Sequence, residues 1–118
     1  MRWVYISPHL DDGVLSSGGL IYEQTQAGTP VEIWTILCGF PPSEELSPYA
    51  QVLHFEWGIP SAGDVIRARR TEDARACQIV GAQPVYFDFL DCIYRRGKNG
   101  DWLYGDIFLP PHEDEADL

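Results

Sequence analysis

A strand-to-helix turn crowded with ionisable side chains limits what this chain can fold into more than any other stretch. Trp3-Val4-Tyr5-Ile6 is a short apolar run of β-forming residues and predicts a buried strand. Ser7-Pro8-His9-Leu10-Asp11-Asp12 follows at once. Gly13-Val14-Leu15-Ser16-Ser17-Gly18-Gly19-Leu20-Ile21-Tyr22 then places small residues on one side and apolar ones at helical spacing. A histidine and two carboxylates are thereby set at the carboxyl end of a first strand, where open α/β sheets bind their ligands.

The remaining sequence keeps the alternation going. The first helix is expected from Val14 to about Ala27, with Gly28 as its stop. Val31-Glu32-Ile33-Trp34-Thr35-Ile36-Leu37 reads as a second strand, and Cys38 to Pro42 as loop. Ser47-Pro48 reads as an N-cap with proline at the first helical position, Ala50, Leu53 and Trp57 on one side and Gly58 past the end. Asp64 is expected to cap a further helix that turns Val65, Ala68, Ala76, Ile79 and Val80 to the core and stops at Gly81. Val85-Tyr86-Phe87-Asp88-Phe89-Leu90 is the third strand. Strands separated by helices imply an α/β fold with parallel pairing and right-handed crossovers.

Composition narrows the function classes. At 118 residues the chain is at most one domain, large enough for a core but small for a complete open-sheet enzyme. With 45% apolar and 22% charged residues it is expected to fold. It holds no run of about 18 apolar residues, so no membrane span is expected, and its first residues lack the zones of a signal peptide. Cys38, Cys77 and Cys92 have no paired spacing and read as reduced thiols of a cytoplasmic protein. A net charge of -10 argues against nucleic acid or an anionic membrane as partner, although Glu113-Asp114-Glu115-Ala116-Asp117 supplies part of it.

The turn itself carries the chemistry. His9 and Asp12 are close enough in sequence to ligate one metal ion, and imidazole with carboxylate is a pair used for catalytic zinc. Asp11 between them is free to take a proton from water. Taken singly, each of the three has a plain structural use, as a helix cap or a surface histidine. Glu72 falls on the stripe Val65, Ala68, Glu72, Ala76, Ile79 and is expected to be a buried partner of Arg69 or another arginine. His54, a lone mid-helix histidine, reads as structural or exposed. Phe40, Tyr49, Phe55 and Trp57 read as core, with Phe40 also placed to line a cleft.

Pro8-His9-Leu10-Asp11-Asp12 followed by Leu15 and Gly18-Gly19 resembles the signature of the metal-dependent N-deacetylases of the PIG-L/LmbE family. Arg69, Glu72, Ala76 and Val80-Gly81 resemble that family's arginine-glutamate helix, and Phe89-Leu90-Asp91 its carboxylate-bearing strand end. The resemblance implies a Rossmann-like parallel sheet with flanking helices. It further implies His9 and Asp12 as ligands of zinc or another divalent metal, Asp11 as general base, and Arg69 and Asp91 facing substrate. That substrate would be a small-molecule N-acetyl amino-sugar conjugate.

Two departures stand beside it. Gly13 occupies a position where glutamate is common in the family. The third ligand implied by the resemblance comes from a later His-x-Asp-His motif that this sequence does not reach. His112-Glu113-Asp114-Glu115 mimics that motif only in outline, and Pro110-Pro111 with the acidic run reads instead as a helix opening that stops at Leu118. The expectation is a single partial deacetylase domain over 1-118, truncated after its third strand. It would bind metal poorly alone and be open to homo-oligomer formation through an exposed sheet edge. The alternative is a non-catalytic metal- or ligand-binding α/β module. A receiver-like signalling domain fits poorly, because the second strand ends in Leu37-Cys38-Gly39 and the only lysine is Lys98.

Overall fold

The computed structural model describes residues 1-116 and is built on a three-stranded parallel sheet. Strand β1 (Trp3–Ser7) pairs with β2 (Val31–Thr35), with Trp3 opposite Val31 and Ser7 opposite Thr35. Strand β2 pairs in turn with β3 (Gln83–Tyr86), with Glu32 opposite Gln83. Helices α1 (Asp12–Gln26) and α3 (Ala62–Val80) pack against each other, α1 onto β1 and β2 and α3 onto β3. Their shared core holds Ile21, Val31, Ile33, Cys77 and Val80, with Tyr5 and Val14 against it. Alternation along β2 explains the layering: Val31, Ile33 and Thr35 are buried toward the helices, while Glu32 and Trp34 face the other way.

That other face is only partly covered. Trp34 packs on Phe87 with ring centroids 5.5 Å apart, and Arg2 pairs with Glu32 at 2.6 Å. Ile6 is 62% exposed, and β1 lies at the sheet edge with no second neighbour among the described residues. Helix α2 (Pro48–Trp57) packs on a short 3-10 turn, Cys92–Tyr94, around a separate cluster of Ala50, Ala62, Ile66, Ile93 and Tyr94.

Several boundaries and faces differ from the sequence reading. Pairing ends at Thr35 rather than Leu37, although Ile36 N–H and Leu37 N–H still reach Ser7 O and Pro8 O across the strand ends. Strand β3 lies at 83–86, and residues 87–91 run on beside the end of β2 as irregular chain. Gly39 N–H donates there to Phe89 O, and a Cβ on Gly39 would lie 2.6 Å from the Asp88 carbonyl carbon. Ser61, not Asp64, caps α3, by accepting from Asp64 N–H. The buried face of α3 is Val65, Ile66, Asp73, Cys77 and Val80. Ala68 and Glu72 are exposed and Ile79 is 76% exposed, so the stripe read from sequence was turned by about one residue. In α2 the buried residues are Ala50 and His54, while Phe55 points outward at 86% exposure. The acidic run forms only a short 3-10 turn, Glu113–Glu115; Asp117 and Leu118 lie outside the described residues.

Candidate active site at the end of the first strand

Ser7 closes β1 with its side chain buried, and its hydroxyl then organises the whole turn. It donates to His9 O at 2.7 Å and accepts from Gly13 N–H at 2.9 Å. Gly13 is buried, and a Cβ there would meet Ile33 Cγ2 at 3.0 Å, so a small residue lets the start of α1 close onto the sheet. Asp12 Oδ2 accepts from His9 N–H at 3.1 Å. The imidazole of His9 lies between two carboxylates, Nδ1 at 3.4 Å from Asp12 Oδ2 and Nε2 at 3.3 Å from Asp91 Oδ2.

Asp11 is the N-cap residue of α1, but it does not behave as one. Its backbone is left-handed (φ 73°, ψ -17°), the only non-glycine residue with positive φ among those described, and its side chain makes no capping bond. Its amide N–H donates across the fold to Asp73 Oδ1 at 2.9 Å. Burial raises the Asp11 carboxyl above the usual carboxylate range; the charges of Glu72, Asp73 and Asp12 add to this, and Arg69 opposes it. The Asp91 hydrogen bond raises His9, with burial working against it. Burial would raise Asp91 too, but the His9 ring and Ile93 N–H outweigh it and leave that carboxyl low.

Arg69 reaches the same turn from α3, with Nη2 3.5 Å from Leu10 O. It does not pair with Glu72, which is exposed and in no ion pair among the described residues. A cleft of about 350 Å3 opens beside His9, walled by Leu37, Cys92, Arg95, Tyr104 and Glu115. Glu115 Oε2 accepts from Arg95 Nη1 and from Tyr104 OH, both at 2.9 Å, and His112 Nδ1 accepts from Asp114 N–H. His112 and Glu115 therefore hold the 3-10 turn Glu113–Glu115 in place. His54 is buried as a strut, its Nε2 2.7 Å from Tyr94 OH and its Nδ1 3.2 Å from Pro60 O. Phe40 lies against Arg70, 4.7 Å from the guanidinium carbon, and does not line this cleft.

Among the described residues no group of three or more His, Cys, Asp and Glu side chains is disposed to hold a metal ion. His9 and Asp12 alone offer one imidazole nitrogen and one carboxylate, the right donor chemistry for zinc and half of a four-coordinate shell. They fit a metal centre as a part of it.

The family model for PIG-L, the GlcNAc-PI de-N-acetylases, matches residues 4–108. The chain belongs to the PIG-L family. It is 31% identical to 2'-N-acetylparomamine deacetylase of Niallia circulans, over 98% of this chain and 46% of that protein. Among solved structures, a deacetylase of teicoplanin biosynthesis superposes with a TM-score of 0.84 at 37% identity, over 99% of this chain and 44% of that one. The zinc-inhibited form of teicoplanin deacetylase gives 0.82 at 35% identity, over 95% and 42%. A hydratase, 4-carboxy-2-hydroxymuconate hydratase from Pseudomonas putida KT2440, gives 0.62 at 25% identity, over 84% and 39%. The chain thus spans less than half the length of these relatives, and its fold also serves a reaction other than deacetylation.

Sequence reasoning missed Ser7 and Asp73. Ser7 carried no signal beyond ending a strand. Asp73 had one: it lies seven residues after Ile66 and four before Cys77, on a second helical stripe that also includes Val80.

Proposed function

We propose that residues 1-118 are the N-terminal part of one metal-dependent N-deacetylase domain. The whole protein would hydrolyse an N-acetyl group from a small amino-sugar conjugate. One observation carries this reading: an aspartate at a helix start, next to two metal-type donors, whose carboxylate caps nothing and is left free for chemistry. His9 and Asp12 would hold zinc or another divalent ion, with further donors from outside this sequence. Such an ion supplies Lewis acidity to water and to the amide carbonyl.

The protein's own groups then handle protons and substrate. Asp11 takes the proton of the attacking water and returns it to the departing amine; a carboxyl raised by burial and like charges is suited to both transfers. Asp91 holds the His9 ring by Nε2, and Arg69 offers a planar two-pronged donor to the sugar. Three free thiols fit a cytoplasmic setting. The open edge of β1 would take a further strand from the rest of the domain or, where that is lacking, from a second copy.

Acetate release from 2'-N-acetylparomamine and from an N-acetylglucosaminyl glycopeptide tests the reading on the full natural protein. Activity that a chelator abolishes and zinc restores is the expected result, with Arg69→Lys impaired in kcat/KM at unchanged metal content. Hydration of 4-carboxy-2-hydroxymuconate without acetate release, or turnover that survives chelation, would overturn it.

A further inference from the structure

Asp73 is 1% exposed and makes no ion pair among the described residues, an expensive position for a carboxylate. It is kept there by hydrogen bonds converging from three elements. Oδ1 accepts from Asp11 N–H at 2.9 Å at the start of α1, and Oδ2 accepts from Tyr86 OH at 2.8 Å at the end of β3. Cys77, one turn along α3 itself, brings its thiol to 3.7 Å from Oδ2. The Asp11 bond spans 62 residues of sequence and falls on the one left-handed non-glycine residue described.

An aspartate at a helix N-cap ordinarily takes extended backbone and folds its carboxylate onto the first-turn amides. Two contacts remove both habits here. Ser7 Oγ already accepts the Gly13 amide that Asp11 would otherwise serve. Asp73 captures the Asp11 amide in the left-handed conformation, whose cost a non-glycine residue bears only when its surroundings impose it. We propose that Asp73 is the positioning residue of this site: by gripping the Asp11 backbone it keeps the Asp11 carboxylate off the amides of the helix and free at the turn that carries His9 and Asp12. Tyr86 orients the Asp73 carboxylate in turn, its hydroxyl shared with Arg70 O at 3.2 Å. This inference rests on the reading of Asp11 as general base, while the contact itself can be measured without any activity.

The test compares Asp73→Asn, which keeps an acceptor oxygen in place, with Asp73→Ala, which does not. In amide hydrogen exchange on the full chain, Asp73→Ala should cost Asp11 N–H roughly ten-fold or more of its protection while the β2 amides hold theirs; Asp73→Asn should retain it. In the acetate-release assay on the full natural protein, Asp73→Ala should lower kcat by roughly ten-fold or more with KM and metal content unchanged, and Asp73→Asn should recover most of that loss. If Asp73→Ala does not fold, Asp73→Ser, too short to reach the amide, takes its place. Unchanged Asp11 protection in the truncated variant, or a loss spread evenly through the sheet, would overturn the proposal. So would equal kcat for the asparagine and alanine variants. A wild-type protein that releases no acetate would defeat the deacetylase reading, and the exchange comparison would still decide the contact.

Discussion

Helices α2 and α3 begin alike, and α1 begins differently. Ser47 (φ -62°, ψ 159°) and Ser61 (φ -81°, ψ 128°) hold extended backbone and turn their own hydroxyls onto Ala50 N–H and Asp64 N–H. In each the cap residue's own side chain serves the helix, and at α3 the Glu44 carboxylate adds to it by accepting from Ala62 N–H and Gly63 N–H. At α1 the same duties are split: the cap comes from Ser7 on β1, the backbone of Asp11 is held by Asp73 on α3, and the Asp11 carboxylate is left over. What sets α1 apart is that its cap residue spends no side-chain atom on the helix, because neighbouring elements have taken over that duty. The borrowed support also ties the site to the core, since Asp73 lies one turn from Cys77.

The sharpest way to break this contrast is to remove the leftover group. Asp11→Ala in the full natural protein should leave metal bound and cut turnover by roughly 10²-fold or more, whereas Asp12→Ala should lose metal and activity together. Metal analysis of the two purified variants decides it, and equal metal loss would refute the division of roles.

Stability measurements come next in size. Ser7→Ala strands the Gly13 amide in a buried place and should cost about 1–2 kcal/mol in chemical denaturation, against about 1 kcal/mol for Ser47→Ala. Only the first should also weaken metal binding. An equal effect of both on the site would mean that α1 is no special case.

Asp11→Gly has the opposite sign. Glycine occupies φ 73° without penalty, so this variant should keep or gain stability, by up to about 1 kcal/mol, while losing activity. A clear loss in melting temperature would show that the Asp11 side chain has a structural duty after all.

The smallest effect is a pH dependence of the metal-free chain. The raised pKa of His9 contributes stability present below its unfolded value near 6.5 and lost as pH rises through the higher folded one. The lowered pKa of Asp91 contributes stability present above 3.8 and lost as pH falls through the lower folded one. Their sum is a shallow maximum between those two pH values, which thermal melts should show and His9→Gln should flatten. The half-exposed histidine keeps the effect small.

Much of this was readable from residues alone, because the signals were local. Pro8-His9-Leu10-Asp11-Asp12 sits between an apolar run and a helical pattern, and the structure puts it at the end of β1 as that order requires. Ser47-Pro48 marked the start of α2 by the same kind of short-range chemistry. Other features depended on helix phase. Glu72 and Asp73 are adjacent carboxylates, and either of two apolar stripes could have faced inward; only packing against α1 and β3 turned Asp73 in and Glu72 out. His54 is structural, one of the two readings its sequence allowed, but nothing near it in sequence announces its partner Tyr94, 40 residues on. The left-handed corner at Asp11 was illegible because its cause lies 62 residues away.

Gly39 sits where two chain segments cross. Any side chain there would collide with the Asp88 backbone, three residues ahead of Asp91. A saturation library at codon 39, sorted for function and sequenced, should return glycine alone. Loss-of-function alleles would then arise at a position that touches neither metal donor nor base, and a map of harmful variants would trace the crossing of two chain segments as clearly as it traces the reactive groups.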